Sequence, residues 1–374
     1  MKIKLNLNED QIALFQMAGS KDKLKSIEAA EALARVIGPV IQKVLDKAGT
    51  VNSIFTAAPF GEDDNPSFPL DLYFGQAEGY LPVWSSSQAG GLVTATVEGY
   101  QEMKVHTYKL DSAVSFYKKY LRKVQLDALA AGLKRMAQEI LVKQELNGWN
   151  CLLTGLANAL TNGNRHVIRV GTANQFHVDD INNLIVRNKR INVAFDGGTP
   201  TDMFSEGITD LFVSPEVKAL IRSWLFNPEN TTASPNGDES TAMPLPDALR
   251  EEVWRNGGSS ILGGIGVIEL NELGISQKYN NLFDEVAGAI TYAEIDGTNS
   301  ATFTSASDEI AVGVDLSTTD AFKKAVITDS DTGANITTVP DDQFVSRSEK
   351  LGFYSSVQEG YYLLDCRRVA GLVV

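Results

Sequence analysis

Three histidines, His106, His166 and His177, are the side chains best suited to moving a proton near neutral pH or to holding a metal ion. His106 and His166 lie in strand-like runs, and no two of the three stand at metal-ligand spacing. The two cysteines, Cys151 and Cys366, are far apart, in the apolar settings NCLL and LLDCRR, and read as buried structural thiols. Neither a Gly-x-Ser-x-Gly elbow, a His-Glu-x-x-His helix, a phosphate-binding P-loop nor a Cys-x-x-Cys pair occurs. The glycines of GGIGVIEL at 263–270 precede a strand instead of joining a strand to a helix, which argues against a dinucleotide site. DSDTG at 329–333 opens like a calcium loop with Asp329, Asp331 and Gly333, but lacks the closing bidentate acid, so it reads as a hairpin turn. EIDGTN at 294–299 reads as a β-turn, and Asp63 and Asp64 as loop acids. No nucleophile, base and orienting group can be assembled from these residues. The expectation is therefore a protein that is not an enzyme, with no catalytic residue, no cofactor and no metal.

The balance of charge excludes another class. The chain of 374 residues carries 33 basic and 47 acidic side chains, a formal charge of −14. A protein that grips nucleic acid by releasing counterions needs a basic surface. Here the densest basic runs, KDKLK at 21–25 and KKYLRK at 118–123, are short. An acidic surface suits a protein that lies beside nucleic acid without holding it. No apolar run approaches the ~18 residues of a membrane helix, and the polar start MKIKLNLNEDQ is not a secretory signal, so synthesis in a cytoplasm is expected.

The stretch that organises the chain is 111–146, DSAVSFYKKYLRKVQLDALAAGLKRMAQEILVKQEL. Leu126, Leu129, Leu133, Met136 and Ile140 step by three and four, with Tyr117, Leu121 and Val124 continuing the step nearer the start, which predicts one face of an α-helix. Asp111 would cap it, and about 36 residues would make a rod of roughly 54 Å. A second, shorter helix is expected over 148–160, with Trp149, Leu152, Leu153 and Leu156 apolar.

Upstream, a helix is expected over 10–17 and another from an N-cap at Ser26, with Ile27, Ala30, Leu33, Val36, Ile41 and Leu45 inward and a kink at Gly38-Pro39. LDLYFGQ and GLVTATVEGYQEMKVHTYKL alternate with period two and form the limbs of a long β-hairpin around GYLPVWSSSQAGG. A hairpin alone is marginal in water, so one this long should be supported by another chain. Trp84 at its tip is either part of a local cluster with Tyr80 and Val83 or an anchor between molecules. Downstream come a strand at 165–171, a helix at 178–192, and a strand running into a helix at Ser214-Pro215. A polar loop of about 20 residues follows, long enough to be functional or mobile. Next come helix 246–258, the strand ILGGIGVIEL and helix 277–288; strands then dominate from Ala289, and the apolar tail ending in GLVV should be tied down.

This succession resembles the major capsid protein of tailed bacteriophages, the Hong Kong 97-like fold. The resemblance lies in the layout: an N-terminal arm over 1–66, the extended β-hairpin (E-loop) over 67–109, and a peripheral domain over 110–147 with the spine helix. An axial domain of mixed α/β structure follows over 148–340, in which the β-rich piece at 289–340 is either an insertion or strands of the axial and peripheral domains, and then closing strands and tail over 341–374. TDLFVSPEVKALIRSWL looks like the strand-helix segment of these proteins and EGYYLLDCRRVAGLVV like their closing strand and tail. The implied fold class is α+β.

The resemblance implies a structural protein whose partner is itself, in pentamers and hexamers of an icosahedral head shell around double-stranded DNA. That DNA would be enclosed without tight sequence-specific binding. Scaffold, portal and decoration proteins are the further candidate partners, and no membrane is involved. The place is the virion, after assembly in the host cytoplasm. The N-terminal region is short, which implies either a separate scaffold or a segment already removed. Tyr80, Trp84, Gly90 and Gly91 are the candidate assembly contacts, and Gly75, Gly79, Gly90, Gly91 and Gly99 would give the hairpin bending points for expansion of a precursor shell. Some relatives cross-link through a lysine of the extended loop. Between Lys47 and Lys104 this chain has none, so non-covalent contacts or a decoration protein should hold the shell. The alternatives are an encapsulin-type nanocompartment of the same fold, an oligomeric enzyme with an unrecognised site, and a tail-tube or sheath subunit.

Overall fold

The computed structural model describes residues 9–20, 22, 24–35, 49–62, 64–70, 101–119, 126–161, 163–171, 175–195, 207–223, 251, 255, 261–262, 264–294, 297, 299–317, 320–329, 335–341 and 350–374. The chain divides into two compact units. The first holds Met1–Phe68, Glu102–Gly148 and Phe322–Tyr362; the second holds Pro69–Gln101, Trp149–Ala321 and Leu363–Val374.

In the first unit, helix α1 (Glu9–Ala18), helical residues 24–35 (α2) and the short α3 (Val51–Ile54) precede strand β1 (Thr56–Gly61). Strands β2 (Ser67–Leu70) and β3 (Gln101–Lys104) pair with each other, and β4 (Tyr108–Tyr117) follows. Helix α4 (Leu126–Asn158) begins in this unit and ends in the second. Strands β14 (Phe322–Thr328), β15 (Ile336–Asp341) and β16 (Lys350–Leu363) complete a five-stranded sheet in the order β1-β14-β16-β15, with β4 also on β16. The β4–β16 ladder is antiparallel and runs from Tyr117↔Lys350 to Tyr108↔Glu359. One face of the sheet is apolar. Leu110, Val114 and Phe116 of β4, Ile336 of β15, and Leu351, Phe353 and Val357 of β16 meet Leu133, Met136, Ala137 and Ile140 of α4 and Ala29, Ala30, Leu33 and Ala34 of α2.

This arrangement revises the expected helix at both ends. Residues 111–117 are a strand: Leu110, Val114 and Phe116 face the core at the period-two spacing of a pleat, and β16 supplies a partner along the whole length. Asp111 is thus a ladder residue, not a helix cap. At the other end the helix does not break near Gly148; Trp149, Leu152, Leu153 and Leu156 continue the same helical face, each at 0% exposure. Ser26 is not an N-cap either. It lies inside α2, where its hydroxyl donates to Ala18 O at 2.8 Å, and the buried face is Ala29, Ala30, Leu33 and Ala34 while Ile27 is exposed. Residues 9–35 of the expected arm therefore carry part of this chain's own core. The kink at Gly38-Pro39 lies outside the described residues, as do the limbs and tip of the hairpin over 71–100.

The second unit is built on a six-stranded sheet, β7-β17-β13-β8-β10-β9. Its strands are β7 (Val167–Arg169), β8 (Asp210–Val213), β9 (Ile261–Leu262), β10 (Ile265–Glu269), β13 (Ile310–Val314) and β17 (Val369–Val373). Helices α5 (Val178–Phe195) and α6 (Pro215–Ser223) pack Ile181, Leu184, Val217 and Ile221 on Leu211, Val213, Ala311 and Leu372. On Phe212, which points oppositely to its neighbours in the pleat, Trp149 stands edge-on at 5.3 Å and itself stacks on Tyr279 of α7 (Lys278–Ala287) at 5.0 Å. Two short hairpins complete it: β5 (Leu160–Thr161) with β6 (Asn164–Arg165), and β11 (Thr291–Ala293) with β12 (Ser300–Thr302).

The strands of the β-rich piece over 289–340 divide between the units: β11 to β13 belong to the second and β14 and β15 to the first. Asp329 consequently does not open a hairpin turn. The strands on either side of it, β14 and β15, have β16 between them.

Candidate functional site

The β2–β3 pair brackets residues 71–100, so the chain leaves Leu70 and returns at Gln101 on neighbouring strands. An aromatic row lies beside these strands within the first unit. Phe68 is buried and meets Phe60 edge-on at 5.6 Å and Tyr362 at 6.1 Å. Val105 N donates to Pro66 O at 2.9 Å, Gln358 Nε2 to Thr107 Oγ1 at 2.8 Å, and the Tyr362 hydroxyl to His106 O. Buried rings and satisfied backbone groups hold these flanking residues in place.

A buried polar cluster joins α4 to the sheet of this unit. Glu145 accepts from Thr50 Oγ1 at 2.8 Å and from Val51 N at 3.1 Å, placing a carboxylate at the start of α3. Gly49 has φ of +96°, and a Cβ there would lie 2.0 Å from Glu145 Oε1, so both its backbone and its lack of side chain are required. One residue earlier along α4, Gln144 Nε2 donates to Glu359 Oε2 at 2.7 Å. Glu359 is fully buried; Lys324 Nζ stands 3.1 Å from the same oxygen and Tyr361 OH donates to Oε1 at 3.3 Å. A wholly desolvated carboxylate is tolerated only with such partners. A second buried lysine, Lys118, donates to Ser26 Oγ at 3.1 Å and so ties the end of β4 to α2.

In the second unit the C-terminal strand is locked between β7 and β13. The buried Arg368 donates to Asp315, and Arg367 holds Asp365 through Nε at 2.8 Å and Nη2 at 2.9 Å. Beside them His166 Nδ1 lies 3.0 Å from Val369 O, and burial pushes this imidazole below its ordinary value. Asn280, at 0% exposure, donates to Asp308 O at 2.6 Å and accepts from Ile310 N at 3.1 Å. Ser214 accepts from Val217 N at 3.0 Å as the cap of α6, and its hydroxyl donates to Glu309, whose carboxyl is raised by burial. These groups hold elements of the second unit together.

Tyr80, Trp84, Gly90 and Gly91 lie outside the described residues. The three histidines are dispersed: His106 is at the root of 71–100, His166 in the second unit's core, and His177 beside Gln175 at 3.0 Å just before α5. Among the described residues no cluster of three metal-ligating side chains forms, and no helix is long and apolar enough to cross a membrane. A cleft of about 280 Å³ on the first unit is lined by Lys109, Asp329, Thr337, Tyr354, Ser356 and Gln358 among others, mostly polar groups on the sheet face turned from the core. The Lys324–Glu359 cluster escaped sequence reading because Asn52, Gln144 and Glu359 approach Lys324 from remote parts of the chain.

No protein-family model matches the chain, and no curated protein matches its sequence. Among solved structures it is similar to the capsid of cyanophage P-SCSP1u, at 13% identity and a TM-score of 0.48, over 85% of each chain. It is similar to the mature capsid of bacteriophage PhiM1, at 8% identity and a TM-score of 0.48, over 87% of this chain and 86% of that one. It is also similar to the SrpI encapsulin of Synechococcus elongatus, at 8% identity and a TM-score of 0.44, over 89% of this chain and 94% of that one.

Proposed function

We propose that this chain is the major capsid protein of a tailed phage, a Hong Kong 97-like subunit that assembles with its own copies into an icosahedral head shell around double-stranded DNA. The observation that carries the reading is the sequence of parts around α4. Paired strands bracket 71–100, β4 then locks on β16 in a ten-residue strand, and a 33-residue helix follows that belongs to both units. Ordinary helices average about 11–12 residues. In this reading α4 is the spine, residues 71–100 are the outer part of the extended loop, the first unit is the peripheral domain and the second the axial domain.

Self-association in pentamers and hexamers multiplies weak contacts, so no single interface has to be strong. Tyr80, Trp84, Gly90 and Gly91 are the proposed contacts of the loop with a neighbouring copy. The formal charge of −14 supports a container whose wall does not grip the packaged DNA. Scaffold, portal and decoration proteins are proposed partners, and assembly in the host cytoplasm the proposed route to the virion.

Subunits are held to one another without covalent bonds, since the loop carries no lysine between Lys47 and Lys104. Boiled, reduced particles on a denaturing gel should give one band at the monomer position. A ladder of multimers would overturn this point. Nuclease-protected DNA inside particles from infected cells is expected; particles holding a protein cargo and no nucleic acid would favour the nanocompartment instead.

A further inference from the structure

The sheet of the first unit buries one face against α4 and α2 and turns the other to solvent. Alternation along the strands puts Lys109 and Asp111 of β4, Tyr354 and Ser356 of β16, and Val339 of β15 on that second face. Ser356 stands opposite Asp111 in the β4–β16 ladder, and Val339 opposite Tyr354 in the β15–β16 ladder. The Asp111 carboxylate accepts from the hydroxyls of both Tyr354 and Ser356, which holds the half-buried phenol ring in one orientation. The cleft of about 280 Å³ opens beside this ring. Val339 and Ile327 of β14 extend its apolar side. Glu62, which follows β1, and Asp329, which follows β14, bring carboxylates to its wall, and Lys109 brings an ammonium group.

This lining selects a class of ligand. Two carboxylates repel an anion, and among the described residues no third metal-ligating side chain joins them to hold a metal ion. An apolar ligand would strip water from charged groups without replacing their hydrogen bonds. A ring of hydroxyls does replace them. Each hydroxyl both donates and accepts, so it can give its proton to Glu62 or Asp329 and take one from Lys109. A sugar ring also carries a face of C–H groups, and the flat ring of Tyr354, its hydroxyl already engaged by Asp111, is an apolar platform for that face. The volume falls just below the ~300–1,000 Å³ of sites for drug-sized molecules, which suits about one or two sugar rings. We propose that this cleft is a binding site for neutral saccharide units. Tyr354 is the stacking platform, Glu62 and Asp329 accept from ring hydroxyls, and Lys109 donates to them.

Saturation-transfer NMR on the purified full-length chain tests this, with glucose, galactose, mannose and N-acetylglucosamine as probes and spermidine as a cationic control. Saturation of protein protons should pass to the ring C–H protons of at least one sugar and not to spermidine. Glu62→Gln, at an exposed turn, should weaken binding of that sugar about tenfold, the effect of losing one charge-assisted hydrogen bond. Tyr354→Ala should abolish the transfer. If that variant fails to fold, Lys109→Ala, also at an exposed position, should weaken binding by a similar factor. Absence of transfer to all the sugars overturns the proposal. Transfer that is unchanged in the Glu62 variant places the sugar elsewhere on the protein and overturns it equally. Transfer to spermidine alone overturns it by making the cleft a site for organic cations. The measurement is made on unassembled chains, so its failure leaves the shell reading standing, and a chain that forms no shells can still hold the sugar.

Discussion

Gly132 of α4 lies directly against the ring of Phe116 of β4: a Cβ on Gly132 would stand 2.6 Å from both Cε1 and Cζ. The helix can approach the long β4–β16 ladder this closely only where it has no side chain. Gly132→Ala should therefore force Phe116 or the helix to move and cost about 1–3 kcal/mol, even though alanine is the better helix former. Urea unfolding of the unassembled subunit measures it. A stabilised variant would mean that Phe116 swings aside freely and that the approach is not a constraint.

His166 sets an acid limit on the second unit. Its burial favours the neutral ring, outweighing the hydrogen bonds to Val369 and Cys366 and the attraction of Asp365, with Arg187 opposing protonation further. The folded state thus binds its proton at lower pH than the unfolded chain, where histidine titrates near about 6.5. The unfolded state takes up more protons below that value, so stability falls as the pH drops through and below it. The urea midpoint should be lower at pH 5.5 than at pH 7.5, with a smaller difference in His166→Gln. An equal difference in both proteins would remove His166 from the account.

Cys151 should be a slow thiol. Burial pushes it up to about 11, against the weaker effect of a hydrogen bond with the Leu363 backbone. The thiolate is the reactive form. Iodoacetamide at pH 8 should label Cys151 far more slowly in the folded protein than in urea. The same shift makes the folded state weaker above the ordinary value of 9.0, where the unfolded thiol ionises first. Labelling at the unfolded rate would show that the α4 face around Cys151 opens readily.

Elements with one strong periodicity could be read directly. Helices 178–195 and 278–287 lie where 178–192 and 277–288 were expected, and the Ser214-Pro215 entry into α6 follows from its cap residue. Misreadings arose where two periods overlap. Tyr117, Leu121 and Val124 continue a helical step, while Leu110, Val114 and Phe116 alternate, and only the partner strand β16, more than two hundred residues on, decides for the strand. The helix expected to begin at Gly148 is a continuation of α4. Gly148 instead marks close packing, since a Cβ there would lie 2.3 Å from Val51 Cγ1. The Lys324–Glu359 pair has no local signature, as its members are ordinary charged residues until the fold buries them side by side.

Electron microscopy of the expressed full-length chain, alone and with a candidate scaffold protein, tests the central claim most directly. The account predicts closed icosahedral shells, or the five- and six-membered rings from which they are built. A uniform small oligomer under every assembly condition would contradict it and return the chain to the class of oligomeric enzymes.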